Sequence, residues 1–348
     1  MRAIHRQVLF TSGQNGYHTY RIPALLRAAP GTLLAFCEAR RNSPDDHGKI
    51  DLVMRRSDDD GVTWSDIRLV YGEDGATTIG NPVPILDAQT GRVHLLFCRN
   101  NTEGIFHIAS DDHGESWSTP RLVCDADRLS AGFGLPVVRY GTGPCHGLQL
   151  PPGCLVAPVW SKADASHSYL SGKFVGGVLY SLDRGHTWLV GARGADGSNE
   201  SALALLPDGT ILMNSRSMAQ PAGYRVVGRT RDITGGTFAS ACDEQLLCPN
   251  CQGSICTDDA GTLWFCNPAV RNAEISYRGD LRHHLTLQGS TDGGLTWSSR
   301  VLLEAGPSGY SDVQPLSDHR LGVLFECGST DYRERIDFLV VETQGAAL

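Results

Sequence analysis

An all-β, six-bladed β-propeller is the fold this 348-residue sequence predicts, from a repeated turn motif, a repeat unit of about 55 residues and a composition poor in helix formers. The motif is Ser-x-Asp-x-Gly-x-Thr/Ser-Trp. It occurs at Ser57–Trp64, Ser110–Trp117, Ser181–Trp188 and Ser290–Trp297, each time after a short segment rich in apolar or β-branched residues. Gly at 40 positions and Pro at 17, with only 4 Met, favour many short strands joined by tight turns.

Each copy has the chemistry of a hairpin turn. The Asp side chain (Asp59, Asp112, Asp183, Asp292) can accept from backbone N–H groups ahead of it, Gly supplies a positive φ, and Trp fills the space between neighbouring sheets. The motif is therefore scaffold. The tryptophans lie roughly 50, 70 and 110 residues apart, so the last interval should hide one further unit. Thr230–Phe238 fits that place, with one inserted residue and Phe for Trp. A unit of about 55 residues suits one four-stranded blade, and the chain length then predicts six blades forming a single domain, residues 1–348. No low-complexity stretch or linker divides it.

Composition excludes several classes of function. A formal charge of −8 and a pI near 5.8 argue against a nucleic-acid binder, so an anionic ligand would need a local basic pocket. No run approaches the roughly 20 apolar residues that span a bilayer, and Met1–Phe10 interleaves charged and apolar residues unlike a signal peptide. The 11 cysteines are odd in number and scattered, which suits reduced thiols in a cytoplasm; a secreted protein would require a leader removed from the N-terminus. Cys248-Pro-Asn-Cys251 raises a zinc knuckle, but no second knuckle of suitable spacing follows, and no metal is expected.

Tyr20-Arg21-Ile22-Pro23 sets an arginine among residues that should be buried, which alone would fit a salt-bridged structural arginine. Together with the Asp repeats, known there as Asp boxes, the tetrapeptide resembles the sialidase (neuraminidase) superfamily, over about residue 17 to about residue 340. Leu86–Gly91, His146–Leu150 and Tyr310-Ser311-Asp312 make it most similar to the compact cytosolic-type sialidases of animals and bacteria.

That resemblance implies three arginines converging on a substrate carboxylate, for which planar guanidinium groups offer fixed bidentate donors. Arg21 is the first and Arg216, in Asn214-Ser215-Arg216-Ser217, the second. Arg282, before the apolar run His283–Leu287, is the third, with Arg271 and Arg278 as rivals. Glu326 corresponds to the counter-charge of Arg21. A carboxylate nucleophile would approach the acidic sugar against Coulomb repulsion, and sialidases use a tyrosine instead, here matched by Tyr310. Glu200 matches the base that takes the phenolic proton, and Asp45 matches the acid that protonates the leaving oxygen, with Asp46 the close alternative.

Arg40 resembles an arginine that contacts the sugar, although Arg41 adjoins it; Glu103 would meet the glycerol tail, and Trp160 stands where related enzymes carry tyrosine. The implied activity is a retaining exo-α-sialidase acting on terminal sialic acids of glycoproteins, gangliosides or oligosaccharides, without metal or organic cofactor. A non-catalytic sialoglycan-binding propeller, a trans-sialidase and a purely structural propeller are the competing readings.

Overall fold

The short apolar segments ending at Ser-x-Asp turns fold as antiparallel strands, as the repeat requires. The computed structural model describes residues 1–164, 173–316 and 319–343. After β1 (Arg2–Thr11), one sheet holds β2 (Thr19–Ala29), β3 (Thr32–Arg40), β4 (Ile50–Ser57) and β5 (Arg68–Tyr71). A second holds β6 (Ile79–Asp87), β7 (Arg92–Arg99), β8 (Ile105–Ser110) and β9 (Arg121–Cys124). The helix α1 (Ala126–Phe133) follows, its N-terminus capped by Asp125, whose side chain accepts from Arg128 N. In the third sheet β10 (Arg139–Thr142) and β11 (Leu148–Leu150) both pair with β12 (Cys154–Lys162), followed by β13 (Phe174–Ser181) and β14 (Leu189–Asp196). The fourth holds β15 (Ser198–Leu205), β16 (Ile211–Ser217), β17 (Tyr224–Thr230) and β18 (Ala239–Leu247).

The remaining strands are β19 (Ser254–Thr257), β20 (Leu263–Pro268), β21 (His283–Ser290), β22 (Ser299–Pro315), β23 (Arg320–Cys327) and β24 (Arg335–Glu342). They join β1 in one seven-strand sheet, ordered β19-β20-β21-β22-β23-β24-β1. The architecture is a β-propeller: β2 packs on β6, β6 on β12, β12 on β15, β15 on β19, β19 on β22 and β22 back on β2. Where the repeat predicts six separate blades, four sheets stand apart as blades and the rest is continuous. The cause is β22, whose first half (Ser299–Pro307) pairs with β21 and whose second half (Ser308–Pro315) pairs with β23 without leaving extended geometry.

Burial follows strand position. β2 and β3 are buried along almost their whole length, whereas the outer strand β18 is only partly covered, so inner strands read as apolar runs and outer strands as mixed ones. The core is accordingly a set of wedges between sheets. Leu25, Leu33, Leu324 and Phe338 fill one, and Leu34, Phe36, Leu95 and Phe97 fill the next.

The four Ser-x-Asp turns share one hydrogen-bond set. In the first, Ser57 Oγ donates to Asp59 Oδ1 (2.8 Å) and accepts from Gly61 N (2.8 Å), while Thr63 N donates to Asp59 Oδ1 (2.8 Å). Ser110, Ser181 and Ser290 repeat the Ser-to-Asp and Gly-to-Ser bonds. The hydroxyls of Thr63, Ser116 and Thr296 hold the Asp59, Asp112 and Asp292 carboxyls below their ordinary range. Gly61 (φ 87°) is required twice, by its left-handed backbone and because a Cβ there would lie 2.2 Å from the Phe338 ring. The degenerate turn falls between β17 and β18 as predicted, but Thr230 Oγ1 there bonds the Asp232 carbonyl and not its carboxylate.

Near the axis, the buried Asp312 ties three sheets together. Its Oδ2 accepts from Leu25 N (2.8 Å) and His146 N (3.0 Å), and its Oδ1 lies 2.7 Å from His146 Nδ1.

Candidate active site

One mouth of the ring opens into a cavity of about 480 Å³ lined by Arg21, Arg40, Asp45, Asp46, Trp160, Glu200, Arg216, Arg282 and Tyr310, among others. Residues read from distant stretches of the sequence thus meet in one place, because β2 and β15 begin there and β22 passes through it.

Arg21 sits where β2 breaks register with β3. The next residue, Ile22, holds a positive φ of 59°, costly for a β-branched side chain and sustained by its N–H bond to Glu326 Oε1 (2.9 Å). Glu326, on β23 and fully buried, grips Arg21 in a fork: Nε to Oε1 at 2.9 Å and Nη2 to Oε2 at 3.0 Å. It also accepts from Tyr310 N at 3.1 Å, so one carboxylate fixes both Arg21 and the backbone of Tyr310.

Tyr310 lies on the second half of β22. Its hydroxyl donates to Glu200 Oε1 at 2.5 Å, and burial, followed by the Glu200 charge, pushes the phenol well above its usual range. Glu200 Oε2 accepts in turn from Arg216 Nη1 at 2.8 Å, and the same nitrogen lies 3.3 Å from the Tyr310 hydroxyl. The site therefore holds a neutral phenol whose proton already points at a carboxylate.

Arg282 differs from its two companions. It is 3 % exposed, and among the described residues no carboxylate lies within ion-pair distance of it. Its Nη1 donates to Tyr332 Oη (3.3 Å) and its Nη2 to the Asn250 carbonyl (3.2 Å), while its guanidinium stacks 4.9–5.4 Å from the ring centres of Tyr277, Tyr310 and Tyr332. A buried, uncompensated cation beside a cavity is an anion site. The rivals lie elsewhere: Arg278 is exposed and paired with Asp280, and Arg271 stacks on Tyr224.

The loop after β3 closes the other side. Buried Arg40 donates to Glu38 Oε2 (3.1 and 2.7 Å) and to the Pro44 carbonyl (2.6 Å), and pairs with Asp46 Oδ1 at 2.8 Å. Asp46 also lies 3.6 Å from Arg21 Nη1. Burial works to raise the Asp46 carboxyl, but Arg40 and then Arg21 outweigh it and hold it below its usual range. Asp45, exposed, accepts from Ser43 Oγ at 2.9 Å. Arg41 is exposed, stacks on Tyr17 and lies outside the cavity wall.

Glu103 requires a correction. It lies in the turn after β7, bonded to Asn100 Nδ2 (3.0 Å) and paired with Arg99 (3.5 Å), and the cavity is lined by Asn101 instead. Tyr277, Tyr332, Asn81 and Asn199 line the cavity without having been singled out in the sequence, since no local pattern marks them. Glu38, also in the cavity wall, accepts from Arg40 and orients that arginine. Among the described residues, the one set of Cys, His and carboxylate side chains close enough to share an ion is Cys145, His146 and Asp312, so Cys248 and Cys251 have no such set around them.

Comparison with known proteins matches residues 17–323 to the family model described as a BNR repeat-like domain. The chain is 26% identical over 351 residues to an exo-alpha-sialidase of Arthroderma benhamiae, covering 89% of this chain and 78% of that protein. It is 27% identical over 377 residues to Sialidase-2 of Mus musculus, covering 97% and 95%. Among solved structures, the Hadza microbial sialidase Hz136 superposes with a TM-score of 0.82 at 24% identity, over 97% of this chain and 68% of that one.

Proposed function

The chain belongs to the BNR repeat-like domain family, and from that premise we propose that it is an exo-α-sialidase, a glycoside hydrolase that releases terminal sialic acids from glycoconjugates. The observation that carries the reading is the buried Arg282, uncompensated among the described residues, in one cavity with Arg21, Arg216 and the Tyr310–Glu200 pair. The relatives named exo-alpha-sialidase and Sialidase-2 support the same substrate class.

The reaction follows from these groups. The sugar carboxylate lies against Arg21, Arg216 and Arg282. Asp45 gives its proton to the glycosidic oxygen as the C2–O bond breaks. Tyr310 Oη bonds to C2 while its proton passes to Glu200, forming a tyrosyl glycoside. Water, deprotonated by the Asp45 carboxylate, then displaces Tyr310, which recovers its proton from Glu200, and two inversions at C2 retain configuration. Asp45 is preferred to Asp46 as the acid because Asp46 is committed to two guanidinium groups that favour its ionised form.

The architecture that goes with this reading is six blades in one domain, residues 1–348, counting the two halves of β22 in different blades and taking the Ser-x-Asp turns as Asp boxes. The 11 free cysteines favour a reducing compartment such as the cytoplasm.

The test is release of a fluorescent aglycone from an α-sialoside by the wild type and by Tyr310→Phe, with proton NMR following the first anomer. Turnover lost in the variant and the α anomer appearing first are expected. A wild type that binds sialic acid without turnover would convert the reading into a sialoglycan-binding propeller.

A further inference from the structure

Asn250 enters the sequence only as the spacer of a Cys-Pro-Asn-Cys motif; in the fold, two of the arginines share it. We propose that Asn250 is a positioning residue that sets Arg216 and Arg282 in register for one carboxylate, an inference that rests on the sialidase reading above. Its Oδ1 accepts from Arg216 Nε at 2.7 Å, and its carbonyl accepts from Arg282 Nη2 at 3.2 Å. Its Nδ2 donates to the Ser276 carbonyl at 3.2 Å, which ties it to the segment leading to Arg282. It is 6 % exposed.

The backbone makes the double contact possible. Asn250 has φ 59°, a left-handed conformation that Asn and Gly adopt at little cost and most side chains do not. That turn sends the side-chain oxygen and the main-chain oxygen of one residue to different guanidinium groups. With Nε on Asn250 and Nη1 on Glu200, Arg216 is held from two sides, and its Nη2 makes no hydrogen bond to the described residues. The flanking thiols serve the same loop. Arg225 Nη1 donates to the Cys251 carbonyl (2.7 Å) and to Cys248 Sγ (3.5 Å), and Cys251 packs on Ile22 and Tyr310. The motif that resembles half a zinc knuckle is a brace under the carboxylate grip.

Asn250→Gly keeps the left-handed backbone and the carbonyl while deleting Oδ1, so the fold should survive. Loss of one hydrogen bond to a charged group should raise KM for an α-sialoside, and Kd for free N-acetylneuraminic acid, by about tenfold, with kcat changed by less than about threefold. Equal KM and Kd in wild type and variant would overturn the proposal, as would a loss confined to kcat. A crystal structure of Asn250→Gly decides independently of activity: a displaced Arg216 guanidinium supports the brace, and one left in place refutes it. Should the wild type neither turn over nor bind sialic acid, the sialidase reading fails, while the position of Arg216 in that variant still decides the role of Asn250. If Asn250→Gly does not fold, wild-type crystals soaked with sialic acid give the answer: Arg216 must reach the ligand carboxylate with Nε still on Asn250, and release of that bond on binding counts against the proposal.

Discussion

Replacing Glu200 by Gln keeps the shape of the side chain and removes the proton acceptor of Tyr310. In the resting site the phenol donates to Glu200 at 2.5 Å, and burial, then the Glu200 charge, raises it above its ordinary value of about 10. Even an unshifted phenol is ionised to only about one part in 10³ at pH 7, so a variant that must ionise Tyr310 unaided should lose at least about 10³ in kcat, or ~4 kcal/mol of barrier. The pH dependence carries the sign. The phenol attacks as its anion, so the rate of Glu200→Gln should climb about tenfold per pH unit in the alkaline range. The wild type, in which Glu200 accepts the phenolic proton directly, should show no such alkaline climb. Hydrolysis of a fluorogenic α-sialoside across the pH range reads both effects. A variant within tenfold of wild type at neutral pH, or one uniformly slow with no alkaline slope, would refute Glu200 as the base.

Glu326→Gln cannot accept all four of the bonds that converge on the carboxylate; breaking a buried pair should cost about 3–5 kcal/mol, lower Tm by roughly 5–10 °C and weaken sialic acid binding, and calorimetry showing an unchanged Tm would contradict that. Asp46→Asn frees Arg21 and Arg40 from a competing anion, so free sialic acid should bind about two- to threefold more tightly in titration calorimetry; weaker binding would mean that Asp46 helps to hold the ligand. His94 and His107 lie 2.9 Å apart, and burial holds them down to about 4 and about 3, so the unfolded chain binds more protons below its ordinary histidine value of about 6.5. Stability should therefore fall by a few kcal/mol as pH drops from about 6.5 toward 4, and a Tm that stays flat over that range would show that the pair is not buried neutral.

What the sequence discloses depends on how local each signal is. Ser57–Trp64 and its copies announce turns because every bond in the motif closes within a few residues. Arg21, Arg216 and Tyr310 are legible because each sits in a short distinctive string. Glu103 is misplaced because its position depends on how the turn after β7 folds back on Arg99, which no spacing encodes. Tyr332 is invisible because its contacts with Arg21 and Arg282 join segments distant in sequence. Asn250 is in plain view but misread: the eye follows the two thiols, while the property that matters is a left-handed backbone set by the fold. The blade count blurs for a related reason, since a continuous β22 erases a boundary that the repeat spacing implies.

The ring solves a charge problem that a single sheet cannot. Three guanidinium groups converge, and two are neutralised by carboxylates from other strands, Arg21 by Glu326 of β23 and Arg216 by Glu200 of β15. Those pairs fix the orientation of both guanidinium groups. Arg282 differs: no carboxylate among the described residues pairs with it, and its buried charge faces three tyrosine rings and the Asn250 carbonyl. Its charge is therefore the one of the three left without a carboxylate among the described residues, and an anion entering the cavity would supply that partner. A neutral sugar would not. On the proposed reading, preference for an acidic sugar follows from one arginine without a carboxylate partner, with the two paired arginines held in place to share the ligand carboxylate.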